Sequence, residues 1–313
     1  MSPPDQPGVP APPDAVVPPI VALRHVTKVY GEVTALVDLN LSVAPGQVYG
    51  FLGRNGAGKS TALRIIMGIT RATSGHVQLF GEATAAERPA LRRRIGYVAQ
   101  EQNFYGWMTA QYLGKFLAGF FPSWDPGEYD RLLHLLEVPP DRAIQTFSGG
   151  MQAKLALGAA LAHRPELLVL DEPTAGMDAV TRREFLSLVR EQARRAGRAT
   201  LFSSHLIDEV ELAADTIGIV DGGRMAWQGT IASLRAQTRC LIGVGENVAL
   251  WPLPTLGPGI TVLEDRTEAD QRRVIVAAAD PAAFVALTLG IWQIVNPPLE
   301  DVFVAMVGKR IAY

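Results

Sequence analysis

Eight consecutive residues, Gly53-Arg54-Asn55-Gly56-Ala57-Gly58-Lys59-Ser60, carry the densest chemistry in this sequence. Glycines at this spacing let successive backbone N–H groups turn inward around a phosphate. Lys59 is placed to reach the β- and γ-phosphates of a nucleotide, and the Ser60 hydroxyl to ligate Mg²⁺. A second run, Leu167-Leu168-Val169-Leu170-Asp171-Glu172-Pro173, ends an apolar segment in two carboxylates. A buried strand of that kind delivers both acids to the C-terminal edge of a parallel sheet, where such sheets bind their ligands. There Asp171 can hold Mg²⁺, directly or through water, and Glu172 can take a proton from an attacking water or orient it. A third run, Ser148-Gly149-Gly150-Met151-Gln152, sets a serine and two glycines at a helix start, which makes another anion-binding N-terminus. One nucleotide could use both phosphate-type sites if the second came from another copy of the chain.

The elements around these runs fit that chemistry. Gln47 to Leu52 reads as a strand leading into the glycine loop, and about Ser60 to Met67 as the helix leaving it, which adds the positive end of its dipole. Ile20 to Tyr30 and Val33 to Val43 read as paired strands, and Ile95 to Ala99 as another strand. From Phe104 to about Gln145 the pattern is helical and aromatic, with a break at Phe121-Pro122-Ser123-Trp124-Asp125-Pro126. Residues 181 to 196 form an amphipathic helix, and Ala199 to Ser203 a buried strand. Strands alternating with helices predict an α/β fold with a parallel sheet covered on both faces. Past residue 235 the character changes. Leu241 to Val248, Thr261 to Glu264 and Val274 to Ala279 read as strands and Pro281 to Gly290 as a helix, giving a small α+β appendage over 236–313. Residues 1–19 hold eight prolines, a density expected of an extended, disordered tail.

Composition removes several alternatives. The chain has 313 residues and a formal net charge of -2, so no basic excess points to nucleic acid. Its single cysteine, Cys240, excludes an internal disulfide and a cysteine-built zinc site within one chain. No apolar run approaches the eighteen or so residues needed to span a bilayer. The N-terminus shows no apolar signal region. No Asn-Lys-x-Asp segment is present to read guanine, which argues against a GTPase.

Taken together and in this order, the three runs resemble the ATP-binding subunit of an ATP-binding cassette (ABC) transporter, over roughly residues 20–235. Phe147 stands where leucine is usual before the signature Ser148-Gly149-Gly150-Met151-Gln152, and Met177 replaces leucine in Ala175-Gly176-Met177-Asp178. The resemblance implies a P-loop ATPase core with a parallel sheet, an N-terminal antiparallel β subdomain and a helical subdomain at about 101–163. It makes Tyr30 the adenine-stacking aromatic. Gly53, Arg54, Asn55, Gly56, Ala57, Gly58, Lys59, Ser60 and Thr61 become the residues that bind the nucleotide in one subunit. Ser148, Gly149, Gly150, Gln152 and Asp178 belong to the inter-subunit side. Gln100 is implied to touch Mg²⁺ and the attacking water, and His205 to contact the γ-phosphate. Ser60, Gln100 and Asp171 would serve the metal, and Glu172, His205, Gln100 and Lys59 the hydrolysis of Mg-ATP.

The same resemblance implies a head-to-tail dimer, of identical or different ATPase chains, with two ATPs sandwiched between phosphate loop and signature helix. It also implies a permease subunit on a separate chain and a peripheral location on the cytoplasmic side of the membrane. The segments Glu101 to Thr109, Phe120 to Asp125, Lys154 to His163 and Pro297 to Phe303 are similar to a bacterial exporter-type branch, the last of them to a tail of drug- and antibiotic-export ATPases. A patch with Phe104, Tyr105, Trp107 and Met108 is expected to meet the permease. Two other functions fit parts of the pattern: a soluble cassette ATPase of translation or DNA repair, and a binding-only module clamped by ATP. The first usually carries two cassettes or a long coiled-coil insertion, and neither is visible. Glu172 and His205 speak against the second.

Overall fold

The computed structural model describes residues 18–83, 89–287 and 291–308, so nearly all of the proline-rich segment lies outside the described residues. Alternating apolar residues build β1 (Val21–Tyr30) and β2 (Val33–Val43), an antiparallel pair turned at Gly31. β3 (Val48–Gly53) is buried along its whole length and runs directly into the phosphate loop and α1 (Lys59–Ile66). β4 (Ser74–Leu79) and β5 (Glu82–Ala83) complete a first, four-stranded sheet in the order β2-β1-β4-β5.

After the short α2 (Pro89–Arg92) and strand β6 (Ile95–Val98), three helices follow: α3 (Ala110–Ala118), α4 (Pro126–Leu135) and α5 (Gly149–Leu161). Each starts at a polar cap, because Thr109, Asp125 and Ser148 accept from the backbone N–H groups of Tyr112, Glu128 and Met151. The chain then alternates through β7 (Leu167–Asp171), α6 (Ala179–Ala196), β8 (Ala199–Ser204), α7 (Ile207–Ala213), β9 (Thr216–Asp221) and β10 (Arg224–Gly229). The central sheet has the order β10-β9-β3-β8-β7-β6 and is parallel except for the β9–β10 hairpin at one edge.

Strand periodicity divides the core between the two faces of this sheet. Tyr49, Phe51, Leu167, Val169 and Leu201 pack toward α1 and the first sheet. Leu52, Leu168, Leu170 and Phe202 pack toward α5, α6 and α7. With both faces covered, β7 needs the unbroken apolar run that its sequence shows.

Helix α8 (Ile231–Ala236) leads to a third sheet, made of β11 (Thr238–Val244), β12 (Ile260–Glu268), β13 (Gln271–Ala278) and β14 (Gln293–Val295) in the antiparallel order β12-β13-β11-β14. It has its own small core of Leu241, Val274, Val276, Phe284 and Trp292. The helix expected over Pro281 to Gly290 is a 3-10 segment, Pro281–Ala286, and 288–290 lie outside the described residues. Helix α9 (Leu299–Val307), which sequence reading treats only as a tail, buries Leu299, Val302, Phe303 and Val307 in the main core beside Val210 and Ala213 of α7. Each such side chain contributes about 1.5–3 kcal/mol by leaving water. Arg273 of β13 pairs with Asp301 of α9 at 2.8 Å, so the third sheet is tied to the helix that docks on the main core.

Candidate functional site

The phosphate loop needs glycine for a steric reason as well as a conformational one. Gly58 adopts φ +104°, and a Cβ there would lie 2.6 Å from the Ala35 carbonyl oxygen. The loop thereby folds back over β2 and leads into the first turn of α1, which presents its free N–H groups. Lys59 is buried, and its Nζ donates to the carbonyls of Gly53 at 2.7 Å and Arg54 at 3.2 Å. The same ammonium stands 3.1 Å from Oε1 of Glu172.

β7 brings the two acids to this loop. Asp171, 2% exposed, accepts from Ser60 Oγ at 3.1 Å and from Ser203 Oγ at 2.7 Å. Ser203 Oγ in turn accepts from the Glu172 backbone N–H at 2.9 Å. Glu172 is held in the left-handed region, φ +43°, a conformation that costs energy in a residue with a side chain and that clusters at functional sites. Its Oε2 lies 3.2 Å from Nδ1 of His205, at the end of β8. Burial, and then the charge of Asp171, pushes the Tyr97 hydroxyl above its ordinary pKa, so the field of the carboxylate extends to β6.

A cavity of about 320 Å³ opens over this cluster, lined by Asn55, Gly56, Gly58, Lys59, Ser60, Thr61, Gln100 and Glu172, with Val33, Thr34 and Ala35 on one wall. Gln100 is exposed at the mouth. Tyr30 does not line the cavity, but it pairs in register with Val33, which does, and Lys28 Nζ sits 4.5 Å from its ring centroid. The Ser60 hydroxyl and the Asp171 carboxylate are adjacent hard oxygens, a donor set suited to Mg²⁺ that keeps phosphate and water ligands. Among the described residues no three His, Cys, Asp or Glu side chains converge on one point, so a denser metal centre is not built here.

The signature residues form a separate cavity of about 250 Å³, lined by Ser148, Gly149 and Gly150 at the start of α5 and by Gly176, Met177, Asp178 and Thr181. Ser148 Oγ accepts from the Met151 N–H at 3.3 Å, while Gly149 is left exposed. Asp178 caps α6 by accepting from the N–H groups of Val180 and Thr181. Hydrogen bonds from Thr181 hold its carboxyl below the usual carboxylate range. Gln152 turns back, with Nε2 donating to the Phe147 carbonyl at 3.5 Å. None of these residues lines the cavity above Lys59.

Sequence reading misses Ser203, a plain serine at a strand end, although it links both acids. It also misplaces part of the aromatic patch. Tyr105 and Trp107 are exposed, 63% and 64%, and Tyr112 joins them with its ring centroid 5.5 Å from that of Trp107. Met108, however, is buried in the core, and Phe104 is partly buried against it. The Met108 carbonyl accepts from the Ile144 N–H at 2.9 Å, which pins this stretch to the helical core.

Comparison with known proteins covers most of the chain. A family model described as ABC transporter matches residues 36–175. The linearmycin resistance ATP-binding protein LnrL of Bacillus subtilis is 32% identical over 307 residues, covering 92% of this chain and 98% of that one. The bacitracin transport ATP-binding protein BcrA of Bacillus licheniformis is 33% identical over 222 residues, 70% of this chain and 72% of its own. A dimeric cassette in a post-hydrolysis state, bound to ADP and Pi, superimposes with a TM-score of 0.62 at 26% identity, covering 67% of this chain and 98% of that one.

Proposed function

Because this chain belongs to the family of ABC transporter ATP-binding subunits, ATPases by function, we propose that it drives an exporter by binding and hydrolysing Mg-ATP between two copies of itself. The observation that carries this reading is the cluster in which buried Lys59 and exposed His205 both contact the buried Glu172 carboxylate, beside the Ser60–Asp171 pair. The loop amides and Lys59 hold the phosphates and stabilise charge on the transferred phosphoryl group. Phosphate oxygens take over the Lys59 ammonium from the Gly53 and Arg54 carbonyls, which frees Glu172 to accept a proton from water. His205 steadies the γ-phosphate, and Gln100 reaches the water from the mouth of the cavity. Ser60 and Asp171, with Gln100, would hold Mg²⁺, which when bound neutralises charge developing on the β- and γ-phosphates.

Both halves of a site are intact in one sequence, so two identical chains can build two complete sites. Ser148, Gly149 and Gly150 of one copy cover the phosphates held by Lys59 of the other, with Asp178 along the seam. The exposed Tyr105, Trp107 and Tyr112 suit contact with a permease on a separate chain, which would hold this subunit at the cytoplasmic face of the membrane. No helix among the described residues is long and apolar enough to cross a membrane itself. Export is favoured by the near end-to-end match to the linearmycin resistance protein LnrL, which covers 92% of this chain. Glu172→Gln tests the reading. It should bind ATP with unchanged affinity and accumulate as a dimer, while phosphate release falls about 10³-fold, as expected for loss of a general base. Near-normal steady-state release would overturn it.

A further inference from the structure

One buried carboxylate lies outside the roles assigned above. Glu209, on α7, is 3% exposed, and no nucleotide-facing cavity includes it. A buried carboxylate is costly unless both oxygens are paired, and here they are paired to three different segments. Thr174 Oγ1 donates to Oε1 at 2.5 Å, and Ser204 Oγ donates to Oε2. Arg182 Nε stands 3.3 Å from Oε1, and the Nη2 of the same guanidinium donates to the Met177 carbonyl at 3.2 Å.

The positions of these partners matter more than their number. Thr174 lies two residues past Glu172, and Ser204 immediately precedes His205. The backbone reinforces the first connection, since the Ala175 N–H donates to the Glu172 carbonyl and the Met177 N–H to that of Thr174. Glu209 therefore clamps the two strand ends whose side chains meet in the Glu172–His205 contact. Through Arg182 it also grips the loop at Gly176 to Asp178, which forms one wall of the signature cavity.

We propose that Glu209 is a positioning residue for ATP hydrolysis: it fixes the Glu172–His205 geometry and couples it to the Met177 loop, so that one chain's two half-sites move together. It lines neither the cavity above Lys59 nor the signature cavity. Loosening the clamp leaves the loop that binds ATP intact and displaces the base, and small displacements of that kind lower turnover by about 10- to 100-fold. The inference rests on Glu172 and His205 being the hydrolytic pair.

The test uses the full chain and compares Glu209→Gln, Arg182→Met and the double variant. Glu209→Gln should lower kcat about 10- to 100-fold with KM for ATP and analogue affinity within about twofold, a split that marks loss of an interaction made only in the transition state. Arg182→Met should reproduce part of that loss, and the double variant should be no worse than Glu209→Gln, because both act through one contact. An unchanged kcat, a KM that rises as much as kcat falls, or losses that multiply would each overturn the proposal. Should Glu209→Gln not fold, Thr174→Val removes the bond to Oε1, and Ser204→Ala removes that to Oε2 together with the bonds Ser204 makes to the Leu206 backbone. A several-fold fall in kcat in each supports the clamp, and wild-type kcat in both refutes it. Glu172→Gln runs alongside. Turnover in that control defeats the catalytic reading itself, whereas an inactive control beside an unaffected Glu209 variant defeats only the clamp.

Discussion

The cavities above Lys59 and Ser148 both sit at the start of a helix, yet they are built from opposite materials. Around Lys59 the working groups are side chains already wired to one another: buried ammonium to buried carboxylate, that carboxylate to an exposed imidazole, hydroxyl to carboxylate. Around Ser148 the lining is a serine hydroxyl, glycine backbone, the side chains of Met151 and Lys154 and the capped end of α6. The first has acids, a base and a cation and can do chemistry once phosphates arrive. The second offers an anion donors and one lysine, Lys154, and its carboxylate, Asp178, is engaged in capping α6. On the proposed reading, the contrast means that a single chain holds the reactive half of one site and the enclosing half of another, and that their separation within the chain is what calls for a partner.

That contrast can be broken at either end. Ser148→Arg, which fills the enclosing half, should lower hydrolysis about 10²- to 10³-fold, comparable to loss of an oxyanion donor, and leave ATP affinity of the isolated chain within twofold. Steady-state phosphate release and analogue titration measure the two effects. Lys59→Ala should abolish hydrolysis and weaken binding as well. It removes a charged hydrogen bond worth about 1.5–3 kcal/mol, so the Kd for ATP should rise roughly 10- to 100-fold by the same titration. If Ser148→Arg weakened binding as much as Lys59→Ala, the division into reactive and enclosing halves would be wrong.

The smallest effect concerns the joint between the two regions. His163, just beyond α5, is buried and stacked on Phe121, and its Nε2 donates to the Ile95 carbonyl of β6 at 3.2 Å. Burial holds its pKa below the ordinary value of a histidine. The unfolded chain therefore binds this proton more readily than the folded one. The stabilising contribution is complete above about pH 6.5 and declines as pH falls through that value. Melting temperature should drop between about pH 7.5 and 5.5, and His163→Gln, a neutral donor, should flatten that dependence. An identical slope in the variant would assign the effect elsewhere.

Much of the reactive half was legible because phosphate chemistry demands particular residues at fixed, contiguous spacing. Gly53 to Ser60 and Leu167 to Glu172 each carry their meaning within eight residues, and strand order follows from the alternation of apolar runs. Ser203 and Glu209 were not legible. They are common residue types whose importance arises only when β7, β8 and α7 come together across thirty or more positions. Helix α9 was hidden for a related reason, since its apolar face is explained by α7 and not by neighbouring sequence. At Pro281 the local signals were sound, with Asp280 capping and proline in the first turn, but the turn closes as 3-10. Met108 looked like a surface anchor beside three aromatics. A backbone bond to Ile144, 36 positions away, turns it inward.

The most direct test of the shared site mixes two inactive chains, Lys59→Ala and Ser148→Arg. Each alone carries one lesion in every composite site. In a mixed dimer both lesions fall in one site and the other is whole. Phosphate release from an equal mixture should recover toward about a quarter of the wild-type rate, since half of randomly formed dimers would be mixed, each with one intact site of two. A mixture no faster than either variant alone would contradict the account.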